Sequence, residues 1–182
     1  MSSISRMRAP IIDGFWWSAV PNTVTVRCRE CGGPATFESA VEMVRGEAAR
    51  ALREDPAAVG VEHAGGFLRN RFPYVYPRRT GPLRMFGHYE GAEGVVTCPR
   101  CVARRPHRLA WPADAYYRLE YRGAMLWAWN REFLVMIRNF IASERRDTPG
   151  QYYFRRKLPK KLLIAKRREE LTAKLDRLLA AT

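Results

Sequence analysis

The chain has 182 residues, of which 47% are hydrophobic and 27% are charged, and this composition is typical of a folded globular protein and excludes wholesale disorder. Its 32 Lys and Arg residues against 18 Asp and Glu residues give a formal net charge of +14. Such a charge attracts polyanions, so the composition favours nucleic acid, an acidic protein surface or anionic lipid as the partner. The sequence has neither an apolar run of bilayer-spanning length nor one typical of a signal peptide, so we expect a cytoplasmic protein without a membrane partner.

The four cysteines form two pairs with the same spacing, Cys28 with Cys31 and Cys98 with Cys101. Two intervening residues let one tight turn direct both thiolates at one ion, and two such turns complete a tetrahedron around zinc. The residues before each pair are typical of short strands. The alternative is redox-active or merely buried cysteine pairs, but a thioredoxin-like site needs a βαβ context that this sequence does not show.

These pairs and their flanking strands resemble the two-knuckle arrangement of zinc ribbons. The resemblance implies a small β core that holds one zinc ion on the four cysteines. Since 66 residues separate the pairs, residues 32–97 are predicted to form a long insertion whose ends the metal joins. Four protein thiolates leave no open coordination position, so we predict a structural zinc ion, and His63, His88 and His107 are not needed as ligands.

Between the pairs, residues 39–54 predict a helix, because Ser39 lies three residues before a glutamate, as in a capping box, and apolar residues follow at helical spacing. Residues 55–94 are rich in Gly and Pro and predict loops with one short strand pair. Here arginines such as Arg78 and Arg79 alternate with aromatic residues, a combination that suits phosphate contact and base stacking. The same pattern also fits a loop whose aromatic residues enter the core while the arginines stay in solvent.

After the second pair, residues 116–129 predict a β-hairpin that turns at Arg122 and Gly123. Asn130 is the predicted N-cap of the following helix, which is expected to end in the loop 145–150. The hairpin and this helix are expected to supply most of the hydrophobic core. The overall prediction is an α+β fold with a zinc-ribbon-like β core, a long insertion, a hairpin with a helix, and a basic C-terminal helix.

Residues 151–182 carry ten bases and three acids, so we predict a zinc-ribbon-like domain over residues 1–150 and a basic helical extension over residues 151–182. A long helix is predicted from Pro159, with leucines along one side. Lys160 and Lys161 would occupy its first turn, where the helix dipole disfavours positive charge unless an anion is bound there. The alternative is a solubilising helix whose charges lie in water.

These features predict a zinc-binding, non-catalytic protein that binds DNA or RNA through three basic zones. The residues predicted to contact nucleic acid are Arg78 and Arg79 in the first zone, Arg100, Arg104, Arg105 and Arg108 in the second, and Arg155, Arg156, Lys157, Lys160 and Lys161 in the third. An alternative is a protein-interaction module in which the leucine side of the C-terminal helix packs on an acidic partner.

An enzymatic alternative rests on Glu62-His63 and Asn70, which lie between the cysteine pairs and are similar in layout to HNH-type nucleases. That family places a catalytic His and a metal-binding Asn between its cysteine pairs. Asn70 lies far from Cys98, however, and the sequence has no paired carboxylates, Ser-His-Asp order or phosphate-binding glycine loop. We therefore predict no catalytic residue.

Overall fold

The structure is a computed structural model that describes residues 23–63, 66–72, 91–144, 146, 154–155 and 158–181. These residues form a mixed α+β fold, as predicted, with antiparallel strands and a C-terminal helix. The chain divides into two compact units, one over Pro21–Asp114 and one that contains Ala115–Thr182. The predicted boundary at residue 150 lies outside the described residues and stays a prediction.

The described residues of the first unit form two antiparallel sheets and a short helix. Its elements in chain order are β1 (Thr23–Arg27), β2 (Pro34–Ser39), β3 (Val41–Val44), α1 (Gly46–Glu54), β4 (Gly60–His63), β5 (Gly66–Asn70), β6 (Glu93–Thr97) and β7 (Arg104–Arg108). One sheet has the order β1-β2-β6-β7 and the other has the order β3-β5-β4. The strands predicted before the cysteine pairs are confirmed as β1 and β6.

The four-stranded sheet has one apolar face and one polar face, since side chains alternate along each strand. On the apolar face the register places Phe37 between Val24 and Val96, and all three side chains are buried. On the polar face one row of small and basic side chains crosses all four strands close to the cysteines: Thr25, Thr36, Thr97 and Arg104.

The helix predicted over residues 39–54 is wrong in its first part, because β3 occupies that part and pairs with β5. Ser39 ends β2, and its hydroxyl bonds to the backbone of Val41 instead of capping a helix. Glu42 lies opposite Arg69 on β5 and forms an ion pair with it. Pairing with a strand distant in sequence therefore overrides the local helical pattern.

The insertion between the cysteine pairs is shorter than the predicted 32–97. Both β2 and β6 belong to the sheet that carries the cysteines, so the inserted segment is residues 40–92. The strand pair predicted within it is confirmed as β4 and β5. Residues 73–90, with Arg78 and Arg79, lie outside the described residues, so their contact with nucleic acid stays a prediction.

In its described ranges the second unit contains a hairpin, formed by β8 (Tyr117–Tyr121) and β9 (Ala124–Ala128), and the helices α2 (Arg131–Ala142) and α3 (Arg168–Ala180). The hairpin prediction is confirmed, and Arg122 and Gly123 turn it with φ angles of 49° and 70°, as a tight two-residue turn requires. The N-cap prediction is also confirmed, since Asn130 Oδ1 accepts a 2.9 Å hydrogen bond from the Phe133 amide.

The C-terminal helix packs on α2 through an apolar cluster. Leu171 and Leu175 of α3 are fully buried in this cluster together with Phe140 of α2. Next to the cluster, Arg138 donates two hydrogen bonds of 2.7 and 2.9 Å to the Asp176 carboxylate. Leu171 and Leu175, which the interaction-module alternative assigned to a partner, are therefore buried within their own chain.

The predicted start of the C-terminal helix at Pro159 is wrong. Two 3₁₀ turns, Lys160–Leu162 and Ala165–Arg167, follow the proline, and α3 begins only at Arg168. The first turn of α3 carries Glu169 and Glu170, whose charges suit the helix dipole. The lysines at 160 and 161 are exposed in a three-residue 3₁₀ turn, so the helix-dipole argument for a bound anion there does not hold.

None of the helices in the described ranges combines the length and the apolar character that crossing a bilayer requires.

The replacement Leu171→Ala should lower the free energy of unfolding by about 2–5 kcal/mol, because it leaves a cavity in a closed apolar cluster. Urea unfolding followed by circular dichroism measures this change. The control Arg177→Ala, on the exposed side of the same helix, should change the value by less than about 0.5 kcal/mol. Equal effects of the two substitutions would contradict the docking of α3.

Candidate metal centre

Two hairpin loops bring the four cysteines together. The first cysteine loop (residues 28–33) connects β1 to β2, and the second cysteine loop (residues 98–103) connects β6 to β7. Because the four strands are antiparallel neighbours in one sheet, both loops lie at the same end of that sheet. The pairing of β2 with β6 thus places the two loops side by side, although 66 residues separate the cysteine pairs.

The sulfur atoms have the spacing of a tetrahedral metal site. The Sγ atoms of Cys28 and Cys101 lie 3.6 Å apart, as do those of Cys31 and Cys98, and all four lie within 4.8 Å of one another. A tetrahedron of thiolates about 2.3 Å from a central ion has sulfurs about 3.8 Å apart. A disulfide needs about 2.05 Å, and all four cysteines are free. The cluster can therefore hold a metal ion.

The two cysteine loops have closely similar backbones. In the first loop the Cys28 amide donates to the Gly33 carbonyl at 2.8 Å, and in the second the Cys98 amide donates to the Ala103 carbonyl at 2.9 Å. The residue directly after the second cysteine of each pair has a left-handed backbone, with φ of 71° at Gly32 and 58° at Val102. The common shape directs both thiol pairs towards one point.

Loop amides favour the thiolate form at the first cysteine of each pair. The Cys31 amide is the main cause that lowers the pKa of Cys28, and the Cys101 amide is the main cause that holds the pKa of Cys98 at about 6. The Ala103 amide lowers the pKa of Cys101, but the neighbouring Cys98 and burial outweigh it and raise that pKa to about 12. Four thiolates this close repel one another, and a divalent cation among them removes the repulsion.

The four-cysteine cluster lies at the protein surface, and the first cysteine of each pair is buried. Cys28 and Cys98 are 2% and 1% exposed, while Cys31 is half-buried and Cys101 is exposed. Four protein thiolates fill a tetrahedral coordination sphere and leave no position for a substrate.

An ion pair supports the contact between the two halves of the centre. Glu30 in the first cysteine loop accepts a 2.6 Å hydrogen bond from Arg105 on β7. Arg100 of the second loop lies against Gly33 of the first, where a Cβ atom would lie 3.2 Å from its Cδ. Glu30 is not among the residues predicted from the sequence; the available signal is that an acid lies between Cys28 and Cys31.

The second basic zone divides into paired and unpaired arginines. Arg105 is the partner of Glu30, whereas Arg100, Arg104 and Arg108 are exposed and form no ion pair with any acidic side chain in the described ranges. Arg104 and Arg108 lie four residues apart on β7, so both point from the polar face of the sheet. The hairpin that carries the second cysteine loop thus holds three arginines without an acidic partner among the described residues.

The third basic zone belongs to the other unit and is described in part. Arg155, Lys160 and Lys161 are exposed. Arg156 and Lys157 lie outside the described residues.

The residues of the nuclease alternative have other partners. Glu62 forms an ion pair with Arg53 of α1, and Asn70 Oδ1 accepts a 3.0 Å hydrogen bond from the Phe72 amide. The side chain of His63 lies outside the described part of the structure. These contacts are those of a surface ion pair and a turn, and they add no support to a catalytic role.

Comparison of the chain with models of known protein families, with curated proteins and with solved structures finds no match. The fold and the site on their own define the class: an α+β protein in which two hairpin loops of one sheet form a four-cysteine cluster that can hold a metal ion.

The replacement Cys98→Ser should abolish stoichiometric metal binding and unfold most of the first unit, because metal binding contributes folding free energy. Elemental analysis and circular dichroism measure the two effects. The control Thr97→Ser changes the neighbouring residue without removing a sulfur and should keep the metal. A full complement of metal in Cys98→Ser would contradict the assigned ligand set.

Exchanging the residues at the two left-handed loop positions should lower stability at Gly32 but not at Val102. Gly32→Val should lower the free energy of unfolding by about 1–2 kcal/mol, since its Cβ would meet no atom within 4 Å and only backbone strain is added. Val102→Gly should leave it unchanged or raise it by up to about 1 kcal/mol, as strain relief competes with the entropy of glycine. Chemical unfolding at saturating metal measures both, and a clear loss of stability in Val102→Gly would refute the assigned strain.

Proposed function

We propose that this chain is a zinc-binding, non-catalytic protein that binds nucleic acid in the cytoplasm. The supporting observation is that free arginines project from the same hairpin whose loop supplies two of the four metal ligands. In this proposal the metal ion contributes to folding, and the arginine side chains contact the ligand.

Zinc is the ion that this donor set suits best. Tetrahedral all-thiolate sites select zinc or iron, and closed four-cysteine sites on paired hairpin loops are typical of structural zinc. The cytoplasm keeps thiols reduced and so leaves all four cysteines available as ligands. With the coordination sphere filled, zinc would tie the two hairpins together and stabilise the sheet on which the arginines lie.

The polar face of the sheet supports nucleic acid as the ligand. Arg104 and Arg108 project from this face, and the threonine row Thr25, Thr36 and Thr97 continues from Arg104 across the sheet. Guanidinium and hydroxyl groups are the side-chain donors that most often contact phosphate oxygens. Because the arginines lie on a strand and a metal-tied loop, less backbone entropy is lost when they bind.

Salt dependence of binding tests the assignment of these arginines. We expect the wild-type chain, loaded with zinc, to bind a fluorescein-labelled single-stranded (dT)20 probe with an affinity that falls steeply with NaCl. The double variant Arg100→Gln with Arg104→Gln should bind more weakly, and the slope of log affinity against log salt should decrease by about 1.4, the value for two lost phosphate contacts on a single strand.

The matched control is Arg45→Gln with Arg50→Gln. Both arginines are exposed in the same unit, so the control removes the same net charge from a surface without assigned contacts. It should keep the wild-type slope. An equal loss of affinity in both double variants would assign binding to net charge alone and overturn the proposed surface. Binding by the wild type that is absent or independent of salt would overturn nucleic acid as the ligand.

A further inference from the structure

Val102 is an unusual residue at the tip of the second cysteine loop. It is 84% exposed, and among the large hydrophobic residues in the described ranges only Ile164, at 41%, is also exposed. Its φ angle of 58° lies in the left-handed region, which β-branched side chains rarely adopt because of steric strain. Val102 therefore has both a strained backbone and an apolar side chain that is exposed to water.

The fold itself does not require valine at this position. The first cysteine loop has the same backbone shape and places Gly32 at the equivalent residue, with a φ angle of 71°, so glycine satisfies the turn without strain. Strain that the local structure does not need points to a role in function. The property that valine has and glycine lacks is an aliphatic side chain directed into solvent.

The surroundings of Val102 restrict the ligand that this side chain can meet. Arg100 and Arg104 lie two residues to either side, both exposed and without an ion pair to any acidic side chain in the described part of the chain. Along the chain, the loop tip thus carries an exposed aliphatic residue between two exposed arginines. A single nucleic-acid strand offers the complementary pattern, with anionic phosphates next to the apolar faces of unstacked bases.

We propose that Val102 packs on the face of an unstacked nucleobase while Arg100 and Arg104 contact the adjacent phosphates. This inference rests on the proposed nucleic-acid binding and adds the ligand class, which is single-stranded or locally unpaired nucleic acid. In an intact duplex the base faces are covered by stacking, so Val102 has no base face to contact there. Aliphatic side chains that contact bases in this way act where bases are unstacked.

The test compares Val102→Asn with wild type on two probes, (dT)20 and the (dT)20·(dA)20 duplex. Asparagine tolerates a left-handed backbone, so the variant removes the apolar contact without adding strain. Binding to (dT)20 should weaken about fivefold, the effect expected when an aliphatic side chain loses a partly buried contact. Binding to the duplex should change by less than about twofold, and the salt slope should stay at the wild-type value because the phosphate contacts remain.

The matched control is Gly32→Asn, which places the same side chain at the equivalent position of the first loop, where a Cβ atom meets nothing within 4 Å. It should bind both probes like wild type. Thermal unfolding of both variants checks that the metal-bound fold is kept.

Wild-type affinity of Val102→Asn for (dT)20, or an equal loss on both probes, would overturn the inference and leave the arginine surface standing. Absence of binding by the wild type to either probe would instead overturn the proposed function itself.

Discussion

The structure of the first unit depends on four thiol groups converging at one end of a sheet. Each hairpin loop directs amide groups at its first cysteine, which lowers the pKa of Cys28 and Cys98. The neighbouring Cys98 sulfur and burial raise the pKa of Cys101 to about 12. Without a cation, the loops thus favour thiolates at Cys28 and Cys98, and the repulsion that a further thiolate would meet keeps Cys101 protonated. A metal ion converts this repulsion into four bonds, and it joins two hairpins whose connecting segment of residues 40–92 need not itself hold them together.

The basic residues of this chain indicate a ligand surface only once their ion-pair partners are known. The net charge of +14 indicates an anionic ligand but does not show which surface binds it. Several arginines form ion pairs with acidic side chains of their own unit. Arg69 and Arg71 pair with glutamates of the first unit, and Arg138 pairs with Asp176 in the second. The second cysteine loop and β7 differ, because their exposed arginines have no such partner in the described ranges. The ligand surface is therefore proposed from unpaired cations on a fixed hairpin, not from composition.

The sequence was sufficient where short-range chemistry determines the structure. The cysteine spacing, the turn at Arg122 and Gly123 and the cap at Asn130 each involve neighbouring residues, and each is confirmed. The predictions were wrong where contacts between residues distant in sequence determine the structure. Residues 41–44 form β3 because they pair with β5. Before α3 begins, Leu162 is buried in the apolar cluster within a 3₁₀ turn. The strain at Val102 was also missed, since only the backbone reveals that this position is equivalent to a glycine.

The central claim is that all four sulfurs bind one zinc ion. Zinc K-edge X-ray absorption spectroscopy of the zinc-loaded chain measures the number and type of ligand atoms directly. The account predicts one zinc per chain with four sulfur neighbours at about 2.3 Å. A shell containing nitrogen or oxygen ligands at about 2.0–2.1 Å, or a chain that keeps its fold while binding no metal, would contradict it.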